Sequence, residues 1–144
     1  MSRLDPCLID SSIWIEAQSD PQWFAALIED HPDAATCQVA VAEYCVGLYA
    51  PEETKTRAEA RDFFEQRLQA VAFLPHVPDD FQLAPRLVGD AIRANAGRPN
   101  IPDGLIAACA LRTNRRIWTK DKHFAAMGCK VFKPLEDTPR HAPA

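Results

Sequence analysis

The sequence predicts an α/β fold with three layers, α/β/α, around a parallel sheet of roughly five strands. Short apolar runs of strand length alternate with longer stretches of helical periodicity. That alternation implies right-handed crossovers and a sheet covered on both faces. Length and composition agree: 144 residues, 47% hydrophobic and 25% charged, suit one domain with one real core.

The elements follow in order. Cys7-Leu8-Ile9, after Pro6, is a buried strand, and Asp10-Ser11-Ser12 supplies capping oxygens for a helix entering at Ile13. Pro21 starts a short amphipathic helix with Trp23, Phe24, Leu27 and Ile28 inward, ended by His31-Pro32-Asp33. Residues 34–37 form a second strand and 39–49 a helix with Glu43 near its start. Pro51 opens the next segment, and 52–70 is rich in helix formers. There Glu53 and Arg57, then Arg61 and Glu65, stand four apart to pair, while Phe64, Leu68 and Val71 face inward. Residues 71–74 are a third strand. Asp79 or Asp80 caps a helix with Phe81, Leu87, Val88 and Ile92 inward, and Asn95-Ala96-Gly97 ends it. A loop over 98–102 leads to a deeply packed helix, 103–111. Residues 116–119 are a fourth strand, 121–127 a short helix and 130–132 a fifth strand. The expected domain is 1–134, with 135–144 a flexible tail.

Bulk properties exclude several classes. No apolar run approaches the about 18 residues of a membrane span, so no membrane association is expected. No secretory signal is seen, which makes the cytoplasm the default. The five cysteines show no C-x-x-C spacing and the four histidines are scattered, so reduced, structural cysteines are expected and no soft-metal knuckle. Net charge is −4 and the pI about 5.5, which argues against a broad nucleic-acid footprint but not against a focused site. Basic residues gather late, at Arg112, Arg115, Arg116, Lys120, Lys122 and Lys130.

Chemistry points to four carboxylates. In open parallel sheets, ligands bind beyond the carboxyl ends of the strands, near the switch in strand order. Asp10 follows the first strand, Glu43 lies near the start of the helix after the second, Asp103 opens a helix and Asp121 follows the fourth strand. That placement lets all four reach one edge, where their charges repel unless protons or a cation neutralise them. Magnesium suits such a place. Each aspartate alone is also explained as a helix cap, whereas Glu43 stands among Val39, Val41, Ala42, Cys45, Val46 and Leu48, where an unpaired carboxylate is costly. Both explanations stay open here.

These residues carry a resemblance. Leu8-Ile9-Asp10-Ser11-Ser12, Val41-Ala42-Glu43, Pro102-Asp103-Gly104-Leu105-Ile106-Ala107-Ala108 and Thr119-Lys120-Asp121-Lys122-His123-Phe124 resemble, in order, the motifs of the PIN-domain family. The likeness is greatest to VapC-type toxins of toxin–antitoxin pairs and covers residues 6 to 134. It implies a Mg²⁺- or Mn²⁺-dependent endoribonuclease that hydrolyses RNA with a metal-activated water. The residues matching the family's metal-binding, catalytic positions are Asp10, Glu43, Asp103 and Asp121, with Ser12 and Thr119 at the supporting hydroxyl positions. The expected partners are RNA, a cognate antitoxin and a second copy of the chain. The alternative is a non-catalytic RNA- or partner-binding module of the same fold. A phosphatase or receiver domain fits less well, because no D-x-D follows the first strand.

Arg98, Lys120 and Lys122 flank the site as candidate phosphate contacts, with solvated charge the alternative. His123 is expected to pack or stay exposed, and Trp14 and Trp118 to belong to the core. The helices over 52–70 and 80–95 offer surfaces for the antitoxin or a second copy, with core packing the competing destination of their apolar stripes.

Overall fold

The computed structural model describes residues 6–50, 52 and 54–132. In chain order the elements are β1 (Cys7–Ile9), α1 (Ser11–Ser19), α2 (Pro21–Asp30), β2 (Ala35–Cys37), α3 (Gln38–Tyr49), α4 (Lys55–Leu68), β3 (Ala72–Leu74), α5 (Pro78–Arg93), α6 (Ile101–Arg112), β4 (Arg116–Trp118), α7 (His123–Ala126) and β5 (Val131–Phe132). The expectations for Pro51, for the Glu53–Arg57 pair and for the tail lie outside the described residues.

The sheet is wholly parallel, in the order β3-β2-β1-β4-β5. The chain runs outward from β1 through β2 to β3, then returns to lay β4 on the other side of β1. The order therefore reverses between β1 and β4, where Ile9 pairs with Trp118. Alternation along three-residue strands splits the interior in two. Cys7, Ile9 and Trp118 face the helices α1 to α4, with Trp14, Phe24, Tyr44 and Phe64. Leu8, Ala35, Cys37 and Ile117 face the other way, onto Val88, Ala91, Ile106, Ala107 and Phe124. The result is the expected three-layer α/β/α domain.

Trp14 anchors the first layer: its ring lies 5.1 Å from both Phe24 and Phe64. Its Nε1–H donates to Thr36 Oγ1 at 3.1 Å, and the Thr36 hydroxyl donates on to Ile9 O at 3.1 Å, so the buried indole is satisfied. In the second layer α6 is buried all round from Gly104 to Ala110. Gly104 permits this, since a Cβ there would sit 2.9 Å from Ala84 O and from Val88 Cγ2. All five cysteines are free thiols, four of them buried, as expected.

Several expectations need correction. Phe81 and Ile92 do not face inward; they are 57% and 40% exposed. Helix α5 starts with Pro78 at its first turn, and the face it buries is Asp80, Ala84, Val88 and Ala91. Val77 holds the N-cap position, and Asp80 caps the helix from its third position, as the carboxylate of a capping box does. Its carboxylate accepts from the Val77 amide at 3.1 Å and from Arg112 Nε and Nη2 at 2.9 and 3.1 Å. The start of α5 is thereby clipped to the end of α6. Glu43 stands in the second turn of α3, and α6 begins two residues before Asp103, with Asn100 as its N-cap. Arg61 in addition lies over the Tyr49 ring at 5.6 Å.

Candidate metal centre

The centre is built outward from the reversal in strand order. The Asp10 amide donates to Trp118 O at 3.1 Å, which holds the end of β1 against the end of β4. Asp10 occupies the N-cap position of α1, yet its side chain closes no cap hydrogen bond. The carboxylate is 3% exposed and turns instead to two hydroxyls: Ser12 Oγ donates to Oδ2 at 2.9 Å and Thr119 Oγ1 at 2.8 Å. Thr119 is fully buried and accepts from the Asp121 amide at 2.9 Å, while Ser12 accepts from the Lys120 amide at 3.1 Å. Each hydroxyl spends its one proton on Asp10 and its lone pairs on the β4–α7 turn. Together they bind Asp10 to the turn that carries Asp121.

Asp103 shows that capping and site roles coexist. Its amide donates to Asn100 Oδ1 at 2.9 Å, and the Asn100 amide donates to Asp103 Oδ2 at 3.3 Å, a reciprocal capping box. Asp121 Oδ1 accepts from the His123 amide at 2.8 Å and lies 3.2 Å from His123 Nδ1. Potential donor atoms of Asp103, Asp121 and His123 all fall within 4.8 Å of one another.

The four carboxylates feel one another. The Glu43 carboxyl is pushed up to about 7, first by burial and then by the charges of Asp103, Asp10 and Asp121. Burial raises Asp10, partly offset by the hydroxyls of Thr119 and Ser12. Burial raises Asp103 as well; the Asn100 amide opposes this, and the charges of Asp121 and Asp10 add to it. Glu43 Oε1 is buried without a hydrogen-bond partner among the described residues. Crowded like charges and an orphaned buried oxygen are both relieved by a divalent cation, so the donor set fits one. Oxygen ligands suit Mg²⁺ or Mn²⁺, and an imidazole at the rim is compatible with Mn²⁺.

The structure thus brings together all four predicted carboxylates with Ser12 and Thr119. Of the flanking cations, Lys120 Nζ pairs with the Glu16 carboxylate, while Arg98 and Lys122 are exposed. Trp14 and Trp118 are core, as expected. His123, expected to pack or stay exposed, is partly buried against Gly97, two residues after Asp121 and within the reach of a tight aspartate turn. Gly97 makes room for it: φ is +113°, and a Cβ there would lie 2.7 Å from the His123 ring. A second grouping, His76, Asp80 and Cys109, does not suit a metal. Asp80 is taken by Arg112, and His76 Nε2 accepts the Val39 amide at 3.3 Å, which leaves its proton on Nδ1 facing Asp80.

Fold and site together define an open parallel α/β domain with an acidic centre at its switch point. The chain belongs to the PIN-domain family, whose sequence model matches residues 7–129 and whose members are generally nucleases. Among curated proteins, none matches it. Solved structures resemble it along nearly its whole length. A member of the VapBC family of toxin–antitoxin systems, VapBC-5 from Mycobacterium tuberculosis, is 29% identical over 86% of this chain and 91% of its own, with a TM-score of 0.63. FitAcB from Neisseria gonorrhoeae is 22% identical over 89% and 97%, with a TM-score of 0.72. DNA-bound VapBC from Salmonella typhimurium is 12% identical over 90% and 98%, with a TM-score of 0.74. The chain is a VapC-type PIN domain.

Proposed function

We propose that the chain is a divalent-metal-dependent endoribonuclease and the toxin of a toxin–antitoxin pair. One observation carries the reading: Glu43, its carboxyl lifted to about 7 and one oxygen orphaned, stands among Asp10, Asp103 and Asp121 at the strand-order reversal. Asp10, Asp103 and Asp121 would hold Mg²⁺ or Mn²⁺, with Glu43 behind them. Such an ion, when bound, supplies positive charge to a phosphodiester and acidifies water.

The chain's own residues do the rest. Ser12 and Thr119 hold the Asp10 carboxylate in one orientation, so its charge is in place before substrate arrives. Glu43, with one oxygen unpartnered beside the three aspartates, would complete the carboxylate set that holds the ion. Lys120, Lys122 and Arg98 stand at the rim for RNA phosphates. Purified protein should cleave structured or loop RNA with Mg²⁺ or Mn²⁺, and Asp10→Asn or Asp103→Asn should abolish cleavage. Full activity of both variants, or unchanged activity in EDTA, refutes the reading.

The antitoxin is proposed to mask the acidic edge. A cavity of about 360 Å³ beside Glu43, lined by Ile15, Gly47 and Leu48 among others, lies where a peptide would do so, next to the exposed Val46 and Tyr49. A homodimer is proposed to cover Phe81 and Ile92 on α5. The second reading is a non-catalytic RNA- or partner-binding module of the same fold. RNA binding that is unchanged by metal, without cleavage, selects it.

A further inference from the structure

The late basic residues do not share one surface. Lys120 and Lys122 stand at the acidic edge and Arg112 is spent on Asp80. Arg115, Arg116 and Lys130 gather at the opposite edge, where β4 and β5 begin, around a cavity of about 140 Å³. That is roughly ten times the space one water needs. Asn114 and Gly128 complete its polar rim, and no carboxylate side chain lines it among the described residues.

Two features make this more than scattered surface charge. The arginines are fixed: Arg115 Nη1 donates to Asp33 O at 2.5 Å and to Cys7 O at 3.4 Å, and Arg116 rides on the Phe132 ring at 5.1 Å. Their hydrogen bonding is also incomplete. Arg115 Nε and Arg116 Nε and Nη2 are buried with no oxygen acceptor among the described residues, and Arg116 has the weakly accepting Cys7 thiol beside it. Buried guanidinium donors are normally matched, and planar forks of this kind suit oxyanions, phosphate above all.

We propose that this pocket binds a phosphate group, and that on the working protein the phosphate belongs to the RNA backbone. Arg115 and Arg116 would give the fixed positive floor and the exposed Lys130 the closing contact. A phosphate held here lies at the opposite end of the sheet from Asp10, so it belongs to a part of the RNA distant from the bond that is cut. The RNA assignment rests on the ribonuclease reading; the phosphate site does not.

The test uses the full chain carrying Asp10→Asn, which removes cleavage from the measurement. Inorganic phosphate is titrated while the arginine Nε–H resonances are followed by NMR, and a short RNA is titrated by fluorescence anisotropy over a range of salt. The Arg115 and Arg116 signals should shift with phosphate. Lys130→Glu should weaken both ligands about tenfold and lower the salt slope for RNA by about 1. Arg116→Gln should do the same; if that variant does not fold, Lys130→Glu carries the comparison alone. Loss of phosphate binding with unchanged RNA affinity keeps the pocket and assigns it to free phosphate compounds, overturning the RNA assignment. Unmoved arginine signals, or equal phosphate affinity in Lys130→Glu, overturn the site. Neither result depends on whether the wild-type chain cleaves RNA.

Discussion

Replacing Glu43 by glutamine is expected to flatten the pH dependence of stability in metal-free protein. The folded carboxyl titrates at about 7 against an ordinary 4.5, because burial and then the charges of Asp103, Asp10 and Asp121 disfavour ionisation. The folded state therefore holds this proton more tightly than the unfolded chain does. Its contribution is complete below pH 4.5 and is lost as pH rises through 7. A gap of that size would correspond to about 3.4 kcal/mol for a fully enclosed group. Glu43 is only half-buried, and solvent screening brings the figure to roughly 1.5 kcal/mol. For a chain of this length that is about 3–6 °C in Tm. The assay is thermal denaturation by circular dichroism in chelator, from pH 4 to 8.5. Wild type should lose Tm progressively from pH 4.5 to just above 7, and Glu43→Gln should lose clearly less, since only the raised Asp10 and Asp103 then remain. With Mn²⁺ present the wild-type trend should reverse, because deprotonated carboxylates bind the ion. An equal fall in wild type and Glu43→Gln refutes the reasoning.

Other expected outcomes follow from single contacts. Asp80→Ala leaves Arg112 and the Val77 amide without their acceptor and should cost about 3 kcal/mol in urea denaturation at pH 7. In wild type, burial works to raise the Asp80 carboxyl, but the Arg112 bonds, the Val77 amide and nearby positive charge outweigh it. Its stabilisation is thus present at neutral pH and lost as pH falls through its lowered value. Thr119→Val should reduce kcat at least tenfold, about 1.4 kcal/mol, with Thr119→Ser restoring most of it, since the hydroxyl joins Asp10 to the Asp121 amide. Gly97→Ala should cost about 1–2 kcal/mol and weaken Mn²⁺ binding in calorimetry, as it forces a left-handed residue against His123. Gly47→Ala is its control: a Cβ there meets nothing within 4 Å on a helix, so stability should rise by about 0.5–1 kcal/mol.

Local chemistry made much of the fold legible. Pro21, Pro78 and Pro102 mark first turns of helices, and Asn95 and Gly97 adopt the positive φ that ends α5. The short, mostly apolar strands β1, β2 and β4 read as buried because parallel sheets are covered on both faces. What escaped depends on partners far along the chain. Asp80 does cap α5 through the Val77 amide, but its bond to Arg112, 32 residues later, has no local signal. Phe81 and Ile92 read as core because apolar residues outnumber the places a single helix face can bury. The four carboxylates were legible as a set by their motifs, but singly each aspartate passed for a cap. For Asp103 that description is also true, since its Oδ2 closes a capping box. The space His123 occupies beside Asp121 is left by Gly97, 26 residues earlier, and a pairing at that distance is not legible locally.

The bond from Thr119 to Asp10 spans 109 residues of sequence. Between the two lies almost the whole domain, and β4 enters the sheet beside β1 only after six helices and two further strands have been made. A chain still on the ribosome therefore exposes β1 as an open edge and possesses neither Thr119 nor Asp121. Its acidic centre closes only when the return strand docks against the first. Premature termination anywhere before β4 yields a fragment that lacks Thr119 and Asp121 and cannot assemble the centre. Timing is thus written into strand order: β4 must be made and docked before the centre exists.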